Sequence, residues 1–162
     1  MEAVPEDLFT DDAHYLCGDL TESLIEESFS RLGYELPESL LDVLRVQNGG
    51  TLRNQCVGVE FENSWAPDHI AISALYGVGG DRGLDSDLGS KYLIREWAYP
   101  DIGVVFGATP SGGHDAVMLD YRDVVSGLEP AVVYVDEDRK PRRVAETFGD
   151  FVGLLTSCRK FD

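Results

Sequence analysis

The residues best suited to chemistry lie close together in SGGHDAVMLDY, at positions 111–121. His114 beside Asp115 has the composition of a general base with an orienting acid, and Ser111 could be a nucleophile. Adjacent residues of a strand point to opposite faces, however, so the side chains of His114 and Asp115 are not expected to hydrogen-bond to each other. Ser111 also lacks the GxSxG setting of a nucleophile elbow. Turn capping by His114 is the preferred interpretation, and a small hydrolase that uses His114 stays open as an alternative.

A second suggestive stretch is the glycine-rich run GVGGDRGLDSDLGS, at positions 77–90. Its spacing does not fit the GxGxxG of a dinucleotide loop, and no lysine and serine follow in P-loop order. DSD at 85–87 lacks the following glycine and distal glutamate of a calcium loop, and the three histidines lie in separate segments. We therefore predict no catalytic, cofactor or metal site.

The cysteines and the N-terminus bear on the compartment. Cys17, Cys56 and Cys158 are odd in number and widely spaced, with no CxxC pair, which argues against a disulfide framework or a zinc site. The N-terminus has no features of a signal peptide, and no stretch approaches the roughly 18 apolar residues of a membrane span. We predict a reduced, cytoplasmic protein.

The charge is strongly acidic and unevenly distributed. The 162 residues include 30 acids and 13 bases, for a net charge of -17. Residues 1–55 carry 12 acids and 3 bases, residues 56–120 carry 10 and 3, and residues 121–162 carry 8 and 7. Such a field repels nucleic acid and anionic membranes and favours a basic partner. We therefore predict binding to neither nucleic acid nor membrane, with plain solubility as the alternative reason for the charge.

Hydrophobic patterning predicts the elements that position these residues. Caps and apolar spacing predict helices at 21–32, from Pro37 to the NGG at 48–50, at 90–97, and after Thr147. Runs of apolar and β-branched residues predict strands at 51–55, 57–61, 70–75, 103–106, 115–121, 131–135 and 142–145. The strands at 103–106 and 115–121 should form a hairpin around TPSGG. Residues 77–89 should be a mobile loop with few apolar anchors.

Some individual side chains are also predictable. Helical spacing places Phe29 on the buried face of the first helix. Trp65 and Trp97 are assigned to the core. Glu96 lies at the negative end of a helix, where a carboxylate needs a partner, so we predict a hydrogen bond or ion pair to the sheet.

The order of elements predicts one α+β domain. An essentially antiparallel sheet should be flanked by a helical pair at the N-terminus and one helix at the C-terminus. Residues 1–20 form an acidic arm in this interpretation, and residues 21–162 form the domain.

Three stretches resemble the SUKH superfamily. They are LGYELPESLLDVLRVQNGG at 32–50, EWAYPDIGVVFGATPSGGHDAVMLDY at 96–121 and EPAVVYVDED at 129–138. The superfamily includes the fungal Smi/Knr cell-wall synthesis regulators and many bacterial immunity proteins against polymorphic toxins. The resemblance implies the same fold class. Within these stretches we take as candidate structural motif residues Glu96, His114, Asp115, Asp120 and Tyr121.

We therefore predict a non-enzymatic binding protein, an immunity protein that neutralises a cognate toxin such as a cationic nuclease. An intracellular regulatory or scaffold protein of the Smi/Knr type is the alternative. The partner is predicted to be this toxin or another basic protein. Loops displayed on a rigid sheet often carry recognition, so the candidate partner-binding residues are Asp81, Asp85 and Asp87.

Overall fold

The computed structural model describes residues 4–125 and 128–162. In this part of the chain, helices α1 to α4 span Glu22–Leu32, Glu38–Val46, Ser90–Trp97 and Phe148–Leu154, and a 3-10 helix spans Cys158–Phe161. Strands β1 to β9 span Gly50–Thr51, Cys56–Gly58, His69–Ala71, Ala74–Leu75, Gly103–Val105, Gly107–Ala108, Ala116–Asp120, Ala131–Val135 and Pro141–Ala145. The predicted α+β class is confirmed.

The strands form three antiparallel sheets, ordered β1-β4-β6, β2-β3 and β5-β7-β8-β9. The predicted hairpin is present, with Gly103 opposite Asp120 and Val105 opposite Met118. After β5 the chain continues into β6, which pairs with β4 of another sheet. The chain from 103 to 108 therefore links two sheets, whereas the predicted strand at 103–106 corresponds to β5 alone.

Helix α4 closes the core over the four-stranded sheet. Thr147 caps it by accepting a hydrogen bond from the Asp150 amide at 3.1 Å, as predicted. Phe148 and Phe151 are fully buried and meet Phe106 edge-to-face at centroid distances of 5.5 and 5.4 Å. Edge-to-face aromatic contacts of this kind stabilise a core beyond the area they bury.

The helical pair also follows its predicted signals. The Thr21 hydroxyl accepts a hydrogen bond from the Leu24 amide at 3.2 Å, and Gly33 ends α1 with φ of +80°. Proline cannot supply a capping side chain to α2, and the distant Glu129 carboxylate instead accepts hydrogen bonds from the amide and hydroxyl of Ser39. This contact fastens the start of α2 to the chain just before β8.

Two aromatic side chains are not where the sequence placed them. Phe29 is 49% exposed, whereas its neighbour Ser28 is buried and donates a hydrogen bond to the Ile25 carbonyl at 2.7 Å. Trp65 is 44% exposed in the loop before β3. The core prediction is wrong for both side chains. Helical spacing and residue type do not show which side of a helix or loop the neighbouring elements leave exposed.

The cysteine prediction is also wrong, because Cys56 and Cys158 form a disulfide across 102 residues of sequence. The backbones of Cys56 and Thr156 exchange hydrogen bonds of 3.1 and 2.8 Å, which brings the C-terminal segment beside β2. The two cysteine Cα atoms are consequently 5.0 Å apart. Their spacing in the sequence carries no trace of this pairing.

Candidate partner-binding surfaces

The glycine-rich loop at 77–89 has no helix or strand, as predicted, but it is well anchored. Val78 and Leu84 are fully buried. Asp85 is only 8% exposed, and its carboxylate accepts a hydrogen bond from the Gly79 amide at 2.9 Å. The expectation of few apolar anchors is wrong. Asp85 stabilises the loop from inside and does not offer its carboxylate to a partner.

The other two predicted acids, Asp81 and Asp87, are exposed on the same loop. Neither forms an ion pair within residues 4–125 and 128–162. Arg82, between them in sequence, lies 2.9 Å from the His14 ring nitrogen of the N-terminal segment. The loop therefore presents two carboxylates that lack an ion pair in the described chain, together with the Arg82 guanidinium.

Asn48 holds this loop to the N-terminal segment, a role that its place in the NGG turn did not reveal. It is buried, and its amide donates to the carbonyls of Gly18 and Val78, each at 2.8 Å. Its side-chain oxygen accepts from the Val78 amide at 2.8 Å. An asparagine has both donors and an acceptor, so it can bridge two backbone segments at once.

Asp115 is the centre of the motif hairpin, which we define as β5, β7 and the chain between them. It is buried, and its two oxygens accept hydrogen bonds from the Ser111 hydroxyl at 2.6 Å and from the Tyr134 hydroxyl. Burial, together with the bond to Asp115, raises the pKa of Tyr134 well above its usual range. The carboxylate is satisfied by the fold itself.

Tyr99 and Arg139 complete the packing around this loop. The Tyr99 hydroxyl donates to the carbonyls of Gly113 and Asp115, and burial raises its pKa to about 12. Arg139 lies 4.8 Å from the centre of the Tyr99 ring and donates to the His114 carbonyl at 2.7 Å. The loop is thus held mainly through backbone carbonyls.

His114 does not form the catalytic pair that was considered. Its side chain is exposed, and its ring has no hydrogen bond to any residue in the described ranges. The Ser111 hydroxyl donates to Asp115, so the serine and the histidine are not arranged as nucleophile and base. The geometry agrees with a structural role of the His114 backbone at the end of the hairpin loop.

The Glu96 prediction is wrong. Glu96 is exposed and has no hydrogen bond or ion pair with any other residue that the structure describes. It lies on the solvent side of α3, where water solvates its carboxylate. The side-chain link from α3 to the sheet comes from the other end of the helix, where the Ser90 hydroxyl accepts from the Val105 amide at 2.8 Å.

Asp120 and Tyr121 are structural residues at the far end of β7. Arg122 binds the Asp120 carboxylate with two nitrogens, at 2.8 and 3.0 Å. Partial burial raises the pKa of Asp120, but the hydrogen bonds from Arg122 outweigh burial and leave it below its usual value. The Tyr121 hydroxyl donates to the Glu35 carbonyl at 2.7 Å, which ties the sheet to the helical pair.

An open groove lies on the helical pair, on both sides of Phe29. One cavity of about 550 Å³ lies between α1 and α2, and another of about 600 Å³ extends from Phe29 towards the chain after β7. The cavities share Phe29, Glu35, Leu36 and Glu38. We call this surface the helical groove. Sequence reasoning missed it because it assigned Phe29 to the core.

Other site classes have less support in the geometry. Within the described ranges, no three His, Cys, Asp or Glu side chains converge as metal ligands would. No helix in the described part of the chain is long and apolar enough to cross a membrane.

Comparison with known proteins agrees with the resemblance found in the sequence. Residues 19–153 match the profile of the SMI1 / KNR4 family (SUKH-1). No curated protein matches the chain at a significant level. The matched region takes in α1 to α3 and all nine strands, together with most of α4. The chain therefore belongs to the SMI1/KNR4 family (SUKH-1).

Proposed function

We propose that this protein is a non-enzymatic immunity protein that neutralises a cognate basic toxin by direct binding. Family membership supports an immunity or Smi/Knr-type protein in general. The observation that carries the finer proposal is the surface charge. A net charge of -17 is displayed in part by carboxylates such as Asp81 and Asp87, which have no ion pair in the described chain.

Uncompensated surface acids act mainly on the rate of encounter with a basic protein. Asp81 and Asp87 are the steering residues in this proposal, and buried Asp85 supports their loop. Nucleic acid and anionic membranes carry the wrong charge to be partners. An electrophoretic shift of nucleic acid at physiological salt would contradict this part of the proposal.

The test is association kinetics with the product of a neighbouring toxin-like gene at two ionic strengths. The variant Asp81→Asn/Asp87→Asn should slow association severalfold at low salt and change dissociation little, because screening acts over about 10 Å. The matched control Glu146→Gln/Asp150→Asn removes two acids from the charge-balanced C-terminal segment and should have a smaller effect. Failure of wild-type protein to bind or inhibit the toxin would reject the function.

A regulatory or scaffold protein of the Smi/Knr type is the second candidate, since the matching family includes that type by name. A toxin-like gene beside this one favours immunity, and a gene neighbourhood without one favours regulation. A hydrolase has less support, because Ser111 and His114 are not paired. Turnover that disappears in His114→Ala would establish it.

The proposed location is the cytoplasm, where thiols are normally kept reduced. The disulfide between Cys56 and Cys158 makes this part of the proposal directly testable. Rapid alkylation of protein taken from cells should label both cysteines if the compartment is reducing. Complete protection of both would show that the disulfide forms in the cell and would contradict the proposed cytoplasmic location.

A further inference from the structure

We propose that the helical groove is the docking site for a basic amphipathic helix of the protein partner. This inference rests on the proposed binding function and identifies the surface that anchors the partner. It concerns a different surface from the Asp81 and Asp87 loop, which would act by long-range attraction.

Among the described residues the groove has an apolar floor, in which Phe29 is half exposed and Leu36 and Leu41 are buried. Phe29 lines both cavities, and Ile25, Leu36 and Leu41 line the first. In the second cavity the exposed apolar surface continues to Leu128, which is 64% exposed. Contiguous apolar surface rimmed by polar groups marks interaction sites, whereas isolated exposed apolar residues do not.

The rim of the groove is acidic. The first cavity is lined by one base, Arg45, and by four acids, Glu22, Glu26, Glu35 and Glu38. Arg45 is already engaged, at 2.6 Å from Glu38 and 3.2 Å from Asp42. Glu26 and Glu35 form no ion pair with any residue of the described chain. A complementary partner therefore carries Lys or Arg on both sides of an apolar stripe.

The walls of the groove determine the form of the partner. Helices α1 and α2 bond their backbone groups internally. Thr21 and Gly33 cap the two ends of α1, and the Ser39 amide in the first turn of α2 donates to Glu129. The two helices offer no free strand edge to which an extended peptide could add. In this proposal recognition uses side chains in the helix-in-groove mode, with apolar anchors repeated every three or four residues.

Charge also discriminates against the other candidate occupants. A second copy of this chain would bring the same acidic rim against itself, and an anionic membrane would face like charge. A basic helix turns that rim into a favourable contact. Phe29, flanked by cavities on both sides, is the natural anchor, because aromatic side chains supply much of the binding energy at such sites.

The groove and the acidic loop are neighbours across α1. A Cβ built at Gly79 in the loop would lie 3.1 Å from Leu24 Cδ2, so the loop packs against the helix that forms one wall of the groove. Asp81 lies two residues further along that loop. A partner drawn in by the loop acids would therefore arrive close to the groove.

The direct test uses a synthetic Leu/Lys peptide of about four helical turns, with leucines at i, i+3, i+4 and i+7. Binding is measured by fluorescence anisotropy. Phe29→Ser should weaken the affinity about tenfold or more. The matched control is Leu154→Ser, since Leu154 is 46% exposed on α4 and lines neither cavity; it should change affinity less than about twofold.

A second pair of variants, which removes charges, distinguishes docking in the groove from general electrostatic attraction. Glu26→Gln/Glu35→Gln should weaken binding and reduce its salt dependence more than Asp81→Asn/Asp87→Asn, which removes the same charge. Equal weakening of peptide binding by the two double variants, together with no effect of Phe29→Ser, would overturn the proposal that the peptide docks in the groove. Sedimentation that shows a wild-type dimer lost in Phe29→Ser would overturn it in favour of a second copy.

Competition with the cognate toxin distinguishes this inference from the proposed function. Displacement of the peptide by the toxin, and weaker toxin binding by Phe29→Ser, support both the docking groove and the proposed function. Toxin that binds wild type and Phe29→Ser equally, without displacing the peptide, overturns the groove and leaves the function intact. A peptide that binds the groove while no toxin binds the protein rejects the function and supports a groove for basic helices.

Discussion

The motif hairpin and the helical groove use the same kinds of residues in opposite ways. All five residues of β7 are buried, and the acids Asp115 and Asp120 are bonded within the fold. In the groove, Phe29 is half exposed, and the acids Glu26 and Glu35 are unpaired among the residues described.

This contrast separates the scaffold from the proposed binding surface. The hairpin is the stretch most easily recognised in the sequence, yet its carboxylates Asp115 and Asp120 are occupied by internal bonds. Specific recognition of the proposed partner requires surface groups that no internal bond occupies. Such groups lie on the helical pair and the glycine-rich loop, where one scaffold can support different partners.

The largest effect is expected from filling space in the hairpin. A Cβ added at Gly103 would overlap the Leu119 carbonyl on the paired strand, so Gly103→Ala must separate β5 from β7. We expect a loss of about 3 kcal/mol or more in the free energy of unfolding, measured by urea denaturation. The control is Gly153→Ala in α4, where no atom lies within 4 Å of the new Cβ. Gly153→Ala should leave the free energy of unfolding unchanged or raise it. A loss equal to that of Gly103→Ala would show that the close contact with the Leu119 carbonyl is not the cause.

Much of the fold was predictable because its signals are local. Helix ends depend on residues within one turn of the end. The caps at Thr21 and Thr147 and the end of α1 at Gly33 could therefore be predicted from the local sequence. The motif hairpin follows from two apolar runs around a glycine-rich turn. The split of residues 103–108 between two sheets depends on where β4 lies, and no local pattern encodes that.

The candidate site was less predictable for the same reason. Asp85 has the same type and setting as Asp81 and Asp87, and only the folded loop shows that it points inward to the Gly79 amide. Phe29 fits the apolar spacing of α1, but whether that flank is covered depends on α2 and the chain after β7. Cys56 and Cys158 were misjudged because their proximity depends on the whole topology.

The next largest effect concerns the disulfide, which lies outside both compared regions. Cys56→Ser/Cys158→Ser should lower the free energy of unfolding by about 2–4 kcal/mol, because the bond closes a long loop and restricts the unfolded chain. Reductant should destabilise the wild type by a similar amount and leave the double variant unchanged. Wild-type stability that is insensitive to reductant would show that the bond contributes little and that the sheets alone hold the fold.

A smaller effect is expected at the buried bond between Asp115 and Tyr134. Tyr134→Phe keeps the ring and removes the hydroxyl, so Asp115 loses one of its hydrogen bonds. The free energy of unfolding should fall by about 1–3 kcal/mol. Tyr92→Phe, on a partly exposed ring of α3, is the control and should change it by less than about 0.5 kcal/mol. A neutral Tyr134→Phe would mean that the hairpin network is not what rigidifies this region.

The pH dependence of stability should report the Asp120 and Arg122 pair. The folded-state pKa of Asp120 is lowered, so the pair stabilises the fold above the unfolded pKa of about 3.9, and this stabilisation is lost as the pH falls through the folded value. Arg122→Gln should therefore cost about 1 kcal/mol at neutral pH and nothing once the pH is below the lowered folded-state pKa of Asp120. Arg31→Gln, which breaks an exposed pair with Glu27, should show no such pH dependence. A cost for Arg122→Gln that is the same at both pH values would contradict the assigned pairing.

The smallest effect on stability should come from the residue expected to matter most for binding. Phe29→Ala removes a side chain that is half exposed, so little apolar area returns to water and no closed cavity forms. The free energy of unfolding should change by less than about 0.5 kcal/mol, as is usual for surface positions. Phe151→Ala, the same substitution in the core, should cost about 3–5 kcal/mol. Urea denaturation of both variants measures the difference directly. A cost for Phe29→Ala close to that for Phe151→Ala would show that Phe29 is part of the scaffold, and the contrast between hairpin and groove would then fail.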